Sequence, residues 1–125
     1  MSEAIVFISH SRVREGMLEG LRAFLAAGAP ALEADKPLTL AFLPYLNADG
    51  TELAIVHAFA DAYAFDVHLE GVMERSAAAD EFIETLGYEI YGRPSPPVEE
   101  MLRAGAARSG VTFRHDPDAL AGFLR

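Results

Sequence analysis

The chain contains no cysteine. That absence excludes disulfides, thiolate catalysis, iron–sulfur clusters and cysteine-based zinc sites. Basic residues are also scarce. Ten Lys and Arg stand against nineteen Asp and Glu, for a formal net charge of −9, and their only local density is Arg12 and Arg14 in "SRVRE". Nucleic-acid phosphates need clustered cations, so no nucleic-acid partner is expected. No apolar run approaches the roughly 18 residues of a membrane-spanning helix, so no membrane partner is expected either. The start "MSEAIVFISH" lacks the basic segment and small-residue cleavage site of a secretory leader, which makes the cytoplasm the expected compartment. Three kinds of motif are missing as well: a histidine pair at metal-ligand spacing, a G-x-S-x-G elbow and a glycine-rich phosphate loop. Neither metal nor nucleotide cofactor is therefore expected.

What is present is the pattern of one ordinary domain of 125 residues, 51% hydrophobic and 23% charged. "EAIVFISH" (3–10) is a β-branched and aromatic run that predicts a buried strand. Met17, Leu21, Phe24, Leu25 and Gly28 share one helical face, and Gly28 and Pro30 should end or fray that helix. "KPLTLAFLPYL" (36–46) and "TELAIVHAFA" (51–60) read as strands joined by the turn Asn47-Ala48-Asp49-Gly50. Along the second of them, alternation places Thr51, Leu53, Ile55, His57 and Phe59 on one side.

Asp61 is a suitable N-cap for a helix carrying Ala62, Phe65, Leu69, Val72 and Met73 on its apolar stripe, with His68 about 60° from Phe65. Gly71 is placed to interrupt that helix, and 76–87 is expected to continue it or to form another. "YEIYG" (88–92) reads as a short strand. Beyond "RPSPP", Ser95 as cap and Pro96 open a helix that Gly110 closes; a strand follows at 111–115, then a last helix with Leu120, Phe123 and Leu124 on one face.

The order β-α-β-β-α-β fits an α+β, ferredoxin-like plan: a four-stranded antiparallel sheet with helices on one face over residues 1–92, followed by an α-β-α extension over 93–125. Both sides of the two main strands are apolar, so the face without helices needs a cover. A second copy of the chain, packed sheet to sheet as a homodimer, supplies one economically. The extension is expected to pack on its own domain or on that partner.

Two stretches, "VFISHSRVREGMLEGLRAFL" and "LPYLNADGTELAIVHAFADAYAFDVHLEG", resemble the antibiotic biosynthesis monooxygenase-like family of dimeric α/β-barrel proteins. The resemblance covers about residues 3–92 and centres on Ala64-Phe65-Asp66-Val67-His68-Leu69, with Phe59 where the family often has tryptophan. It implies oxidation of a quinol-like or polyphenolic small molecule by dioxygen, often with no metal or organic cofactor. A haem-degrading relative of the same fold ligates iron through a histidine further along the second helix; "RSAAAD" offers none here, which disfavours haem.

His68 has two readings, a structural residue beside a core or a general base that removes a phenolic proton. The second needs a pKa near neutrality in a dry pocket. His57 and Phe59 share a strand face; on the open side of the sheet they would orient a substrate hydroxyl and stack on its ring, and beneath the helices they would not. Tyr45 and His10, at strand ends, and Phe65 complete the expected substrate contacts. The expected activity is a cofactor-independent monooxygenase acting on a small aromatic molecule. The alternative is a non-catalytic ligand-binding or stress-related dimer in which the same residues only pack.

Overall fold

The computed structural model describes residues 3–125, so Met1 and Ser2, on which the leader reading partly rests, lie outside the described residues. Nine elements follow one another: β1 (Ile5–Val13), α1 (Leu18–Asp35), β2 (Thr39–Leu46), β3 (Glu52–Phe59), α2 (Ala62–Leu69), α3 (Val72–Ala79), β4 (Ile83–Tyr91), α4 (Pro96–Ser109) and β5 (Thr112–Asp116). The sheet runs β2-β3-β1-β4-β5, with the first four strands antiparallel and β5 parallel to β4. This is the α+β, ferredoxin-like plan, with one strand added at the β4 edge. Among the described residues no helix is long and apolar enough to cross a membrane.

Local chemistry accounts for several boundaries. Asp61 caps α2, its Oδ1 accepting from Ala64 N at 2.9 Å, and Gly71 takes φ +79°, a left-handed turn that breaks α2 from α3. In the β2–β3 hairpin, Asn47 Oδ1 accepts from the backbone N–H groups of Thr51 and Glu52, each at 2.9 Å. Pro44 sits on the edge strand, where a missing N–H costs least.

Four expectations need correction. Pro30 does not end α1, which continues to Asp35: Leu32 stays half-buried, and the Lys36 N–H closes the last turn on the Leu32 carbonyl at 2.8 Å. Residues 83–87 are not helical but extend the expected 88–92 strand backwards, so that β4 starts at Ile83 and pairs the second edge of β1. Ser95 precedes α4, yet its hydroxyl donates to Asp66 Oδ1 at 2.7 Å, tying α4 to α2 instead of capping its own helix. No helix follows β5: Leu120 and Phe123 stand in solvent, 99% and 82% exposed, with no surface against which to bury an amphipathic face.

Helices cover one face of the sheet. Toward them point Ile5, Phe7, Ser9, Ser11 and Val13 from β1 and Leu53, Ile55, His57 and Phe59 from β3; Val6, Ile8, Ala54, Val56 and Ala58 line the opposite face, half-buried. Two register shifts alter this parity. In β2 an extra residue, Leu40, lets both Thr39 and Phe42 face the helices; in β4 an extra Leu86 does the same for Thr85 and Tyr88. Beneath the helices the apolar groups form two clusters. One joins Ile5, Phe7, Phe59, Phe65 and Ile90 to α4 through Val98 and Leu102, and the other gathers Val13, Leu21 and Leu53 under α1.

Candidate functional site

Two histidines meet between those clusters. His57 projects from β3 toward the helices, and His68 comes down from the inner face of α2, one turn after Phe65. Their ring centroids are 5.1 Å apart at an interplanar angle of 73°, and they are 5% and 4% exposed. Phe59 and Phe65 stack at 4.8 Å behind the pair, and Phe59 also meets the His68 ring edge-on at 5.1 Å. That aromatic wall fixes both imidazoles.

Each ring is held by one nitrogen. His57 Nδ1 donates to the Phe7 carbonyl at 3.0 Å, which assigns the proton to Nδ1 and leaves the lone pair on Nε2. His68 Nδ1 shares a hydrogen bond of 2.8 Å with the Thr39 hydroxyl, a contact made possible by the Leu40 bulge. Neither Nε2 takes a hydrogen bond from the described residues, yet no fully enclosed side-chain nitrogen or oxygen among them lacks a partner. Both Nε2 atoms therefore open onto free space.

Burial keeps both rings neutral. It lowers His57 from 6.5 to about 4. His68 falls to about 3, first through burial and then through the nearby His57, Arg75 and Lys36. Burial thus holds His68 below the near-neutral range expected of a base, and its imidazole is uncharged. Arg75 is the cation beside it. Its guanidinium donates to the carbonyls of His68 (2.5 Å) and Glu70 (2.8 Å), satisfying the end of α2, and forms no salt bridge with a carboxylate among the described residues.

The space they face is a cleft of about 770 Å³ between sheet and helices, within the ~300–1,000 Å³ of small-molecule sites. His57 and His68 line it at one end with Phe42, Leu69 and Arg75; α1 supplies one wall, and Met101 and Leu102 of α4 another. Helix α4 belongs to the 93–125 segment, so that segment borders the cleft. Among the described residues no group of three or more His, Asp or Glu is placed to hold a metal ion.

The expected contacts divide. The His57 face does lie beneath the helices, but the cleft lies there too, so His57 reaches it. Phe59 and Phe65 are fully buried behind the histidines and do not border the space, which removes ring stacking by Phe59. Tyr45 and His10 both pair with Ala54 in the sheet and point to the opposite face. Tyr45 is 58% exposed there, and His10 is paired with Glu89. They do not join the histidines. Two residues of the site went unnoticed in the sequence. Thr39 depends on a bulge that carries no local signal, whereas Arg75, seven residues beyond His68 and past the Gly71 break, is signalled by the lone cation of "MERSAAAD".

No protein-family model matches the chain, and no curated protein sequence matches it. Solved structures do. MupZ from Pseudomonas fluorescens superposes with a TM-score of 0.72 at 20% identity, over 98% of this chain and 91% of its own. SnoaB from Streptomyces nogalater, a cofactor-independent oxygenase, gives 0.60 at 17% identity, over 77% and 99%. A provisionally named antibiotic biosynthesis monooxygenase from Chloroflexus aurantiacus gives 0.56 at 16% identity, over 70% and 90%. The fold is therefore the one shared by antibiotic biosynthesis monooxygenase-like proteins, in agreement with the resemblance read from the residues.

Proposed function

We propose that the chain is a cofactor-independent monooxygenase of a small aromatic, quinol-like molecule, bound in the cleft with a phenolic hydroxyl against the two histidines. One observation carries this: two uncharged imidazoles, each anchored through Nδ1, present free Nε2 atoms side by side to an apolar cleft large enough for such a molecule. The presence of the same fold in SnoaB supports it. In this reading His68 accepts the phenolic proton, His57 orients the hydroxyl, and Arg75 offsets the charge of the phenolate that forms. An imidazole whose folded pKa is about 3 takes a proton only as that anion appears beside it, so proton transfer and charge compensation go together. The electron-rich ring then reacts with dioxygen. One oxygen atom enters the ring and the other leaves as water, and the quinol becomes a quinone as it supplies the two electrons and two protons.

The working form is proposed as a cytoplasmic homodimer joined through the open sheet face, with residues 93–125 as an addition to the 1–92 unit that closes its cleft. Oxygen uptake with menadiol, corrected for autoxidation, tests the chemistry. The wild type should exceed His68→Gln by about 100-fold or more, the usual worth of a positioned base; equal rates would remove His68 from the mechanism. The strong preference of both rings for neutrality also suits a ligand-binding protein without turnover. Menadiol bound but not oxidised would establish that second reading.

A further inference from the structure

The cleft has a second polar end that the proton chemistry does not use. Its floor carries three hydroxyls, Ser9 and Ser11 of β1 and Thr85 of β4, all bordering the same space as the histidines. Ser11 lies directly across from Thr85, which puts their Cβ atoms about 5 Å apart, and Ser9 is two residues along on the same face, about 7 Å away. Ser9 stands opposite Ile55 and Ser11 opposite Leu53, so the row starts one residue pair beyond His57 and runs away from it. Thr85 joins the row only because the Leu86 bulge resets the parity of β4.

These hydroxyls are unusual in having no work inside the protein. None takes a hydrogen bond from the described residues, and Ser11 is 4% exposed. Their surroundings are mostly apolar, with Leu21, Phe24 and Leu25 of α1, Leu53 and Ile83, while Tyr88 stands across from Ser9 and Asp80 and Arg108 border the same cleft. A hydroxyl in such surroundings costs free energy unless something polar meets it.

We infer that Ser9, Ser11 and Thr85 form a second recognition subsite, which binds a hydroxyl or carbonyl oxygen at the end of the ligand remote from the reacting phenol. The inference rests on the small-molecule reading of the cleft and deepens it. The ligand is an extended, multi-ring aromatic with oxygen at both ends, and a single-ended phenol fills only the histidine half. A desolvated site built to pair an oxygen discriminates strongly against the analogue that lacks it.

Equilibrium dialysis with absorbance detection tests this using two probes of one skeleton, 2,6-dihydroxyanthraquinone and 2-hydroxyanthraquinone. The wild type should bind the first about tenfold more tightly, as one added hydrogen bond allows. Ser11→Ala and Thr85→Val should each bring the ratio close to one without lowering the thermal transition, and Ser109→Ala, outside the cleft, should leave it at tenfold. A wild-type ratio of one, an unchanged ratio in both variants, or no binding of either probe would overturn the subsite. Dialysis reads no oxygen chemistry. A tenfold ratio in a protein that consumes no dioxygen would sink the monooxygenase and keep the subsite, and the converse pair of results would do the opposite.

Discussion

The four histidines form two pairs with opposite surroundings. His10 and His115 each lie beside a carboxylate, Glu89 for the first and Glu99, 3.4 Å away, for the second. His57 and His68 have each other, a backbone carbonyl, a threonine and aromatic rings, with no carboxylate in ion-pair reach among the described residues. Beside His10 the effect is on the partner: hydrogen bonds from Tyr91 and then His10 hold Glu89 below the usual carboxylate range. In the inner pair the effect falls on the imidazoles, which burial drives to about 4 and about 3. Residue type thus says little about what a histidine does here; its wall decides whether it meets a carboxylate or only uncharged partners.

Acid is the strongest way to break the contrast. The folded pKa values of the inner pair lie below the unfolded value of 6.5, so between pH 6.5 and about 3 the unfolded chain binds protons that the folded chain refuses. Stability is unaffected by the pair above pH 6.5 and falls progressively as the pH drops through that window. By pH 4 the loss should reach about 6 kcal/mol from these two residues together. Urea unfolding at pH 7 and pH 4 measures it; a His57→Gln, His68→Gln double variant should lose markedly less between the two pH values, and an identical loss would mean the rings titrate normally.

A smaller effect comes from the anchor. Thr39→Val leaves His68 Nδ1 buried without a partner and should cost about 1–2 kcal/mol at pH 7. It should also broaden or shift the His68 ring resonances in NMR spectra. Unchanged stability and spectra would show that the threonine holds nothing. The smallest effect belongs to the outer pair. Glu89→Gln alters a hydrogen-bonded contact with His10 whose side chains are 25% and 42% exposed, and should change stability by about 0.5 kcal/mol or less in the monomer. A larger change that grows with protein concentration would place Glu89 in a subunit interface and sharpen the contrast between the two faces.

The features legible in the sequence are those set by neighbours along the chain. The Asp61 cap, the Gly71 break and the Asn47–Gly50 hairpin each depend on a few adjacent residues, and each is where the pattern put it. What was misread depends on distant contacts. Phe82, Ile83 and Leu86 satisfy a helical spacing as well as a strand, and only the free edge of β1 decides between them. Alternation correctly grouped His57 with Phe59, but no period tells which side of a sheet the helices will cover. For the same reason Tyr45 and His10 were gathered into a site they do not reach. The hydroxyls of Thr39 and Thr85 owe their direction to one-residue bulges, and a bulge is a property of two strands that neither displays alone.

Gly87 has a wider influence than its size suggests. It faces Thr112 so closely that a methyl group there would overlap the threonine hydroxyl. The seam between β4 and β5 therefore closes on a hydrogen atom. Because α4 is strung between those two strands, that seam is also the fastening of a cleft wall. Widening it by one carbon would loosen the β5 end of the wall while leaving every group that lines the cleft chemically intact. Ligand grip and ligand chemistry are in this sense separately adjustable in the molecule, the first from the outer rim of the sheet and the second from its middle.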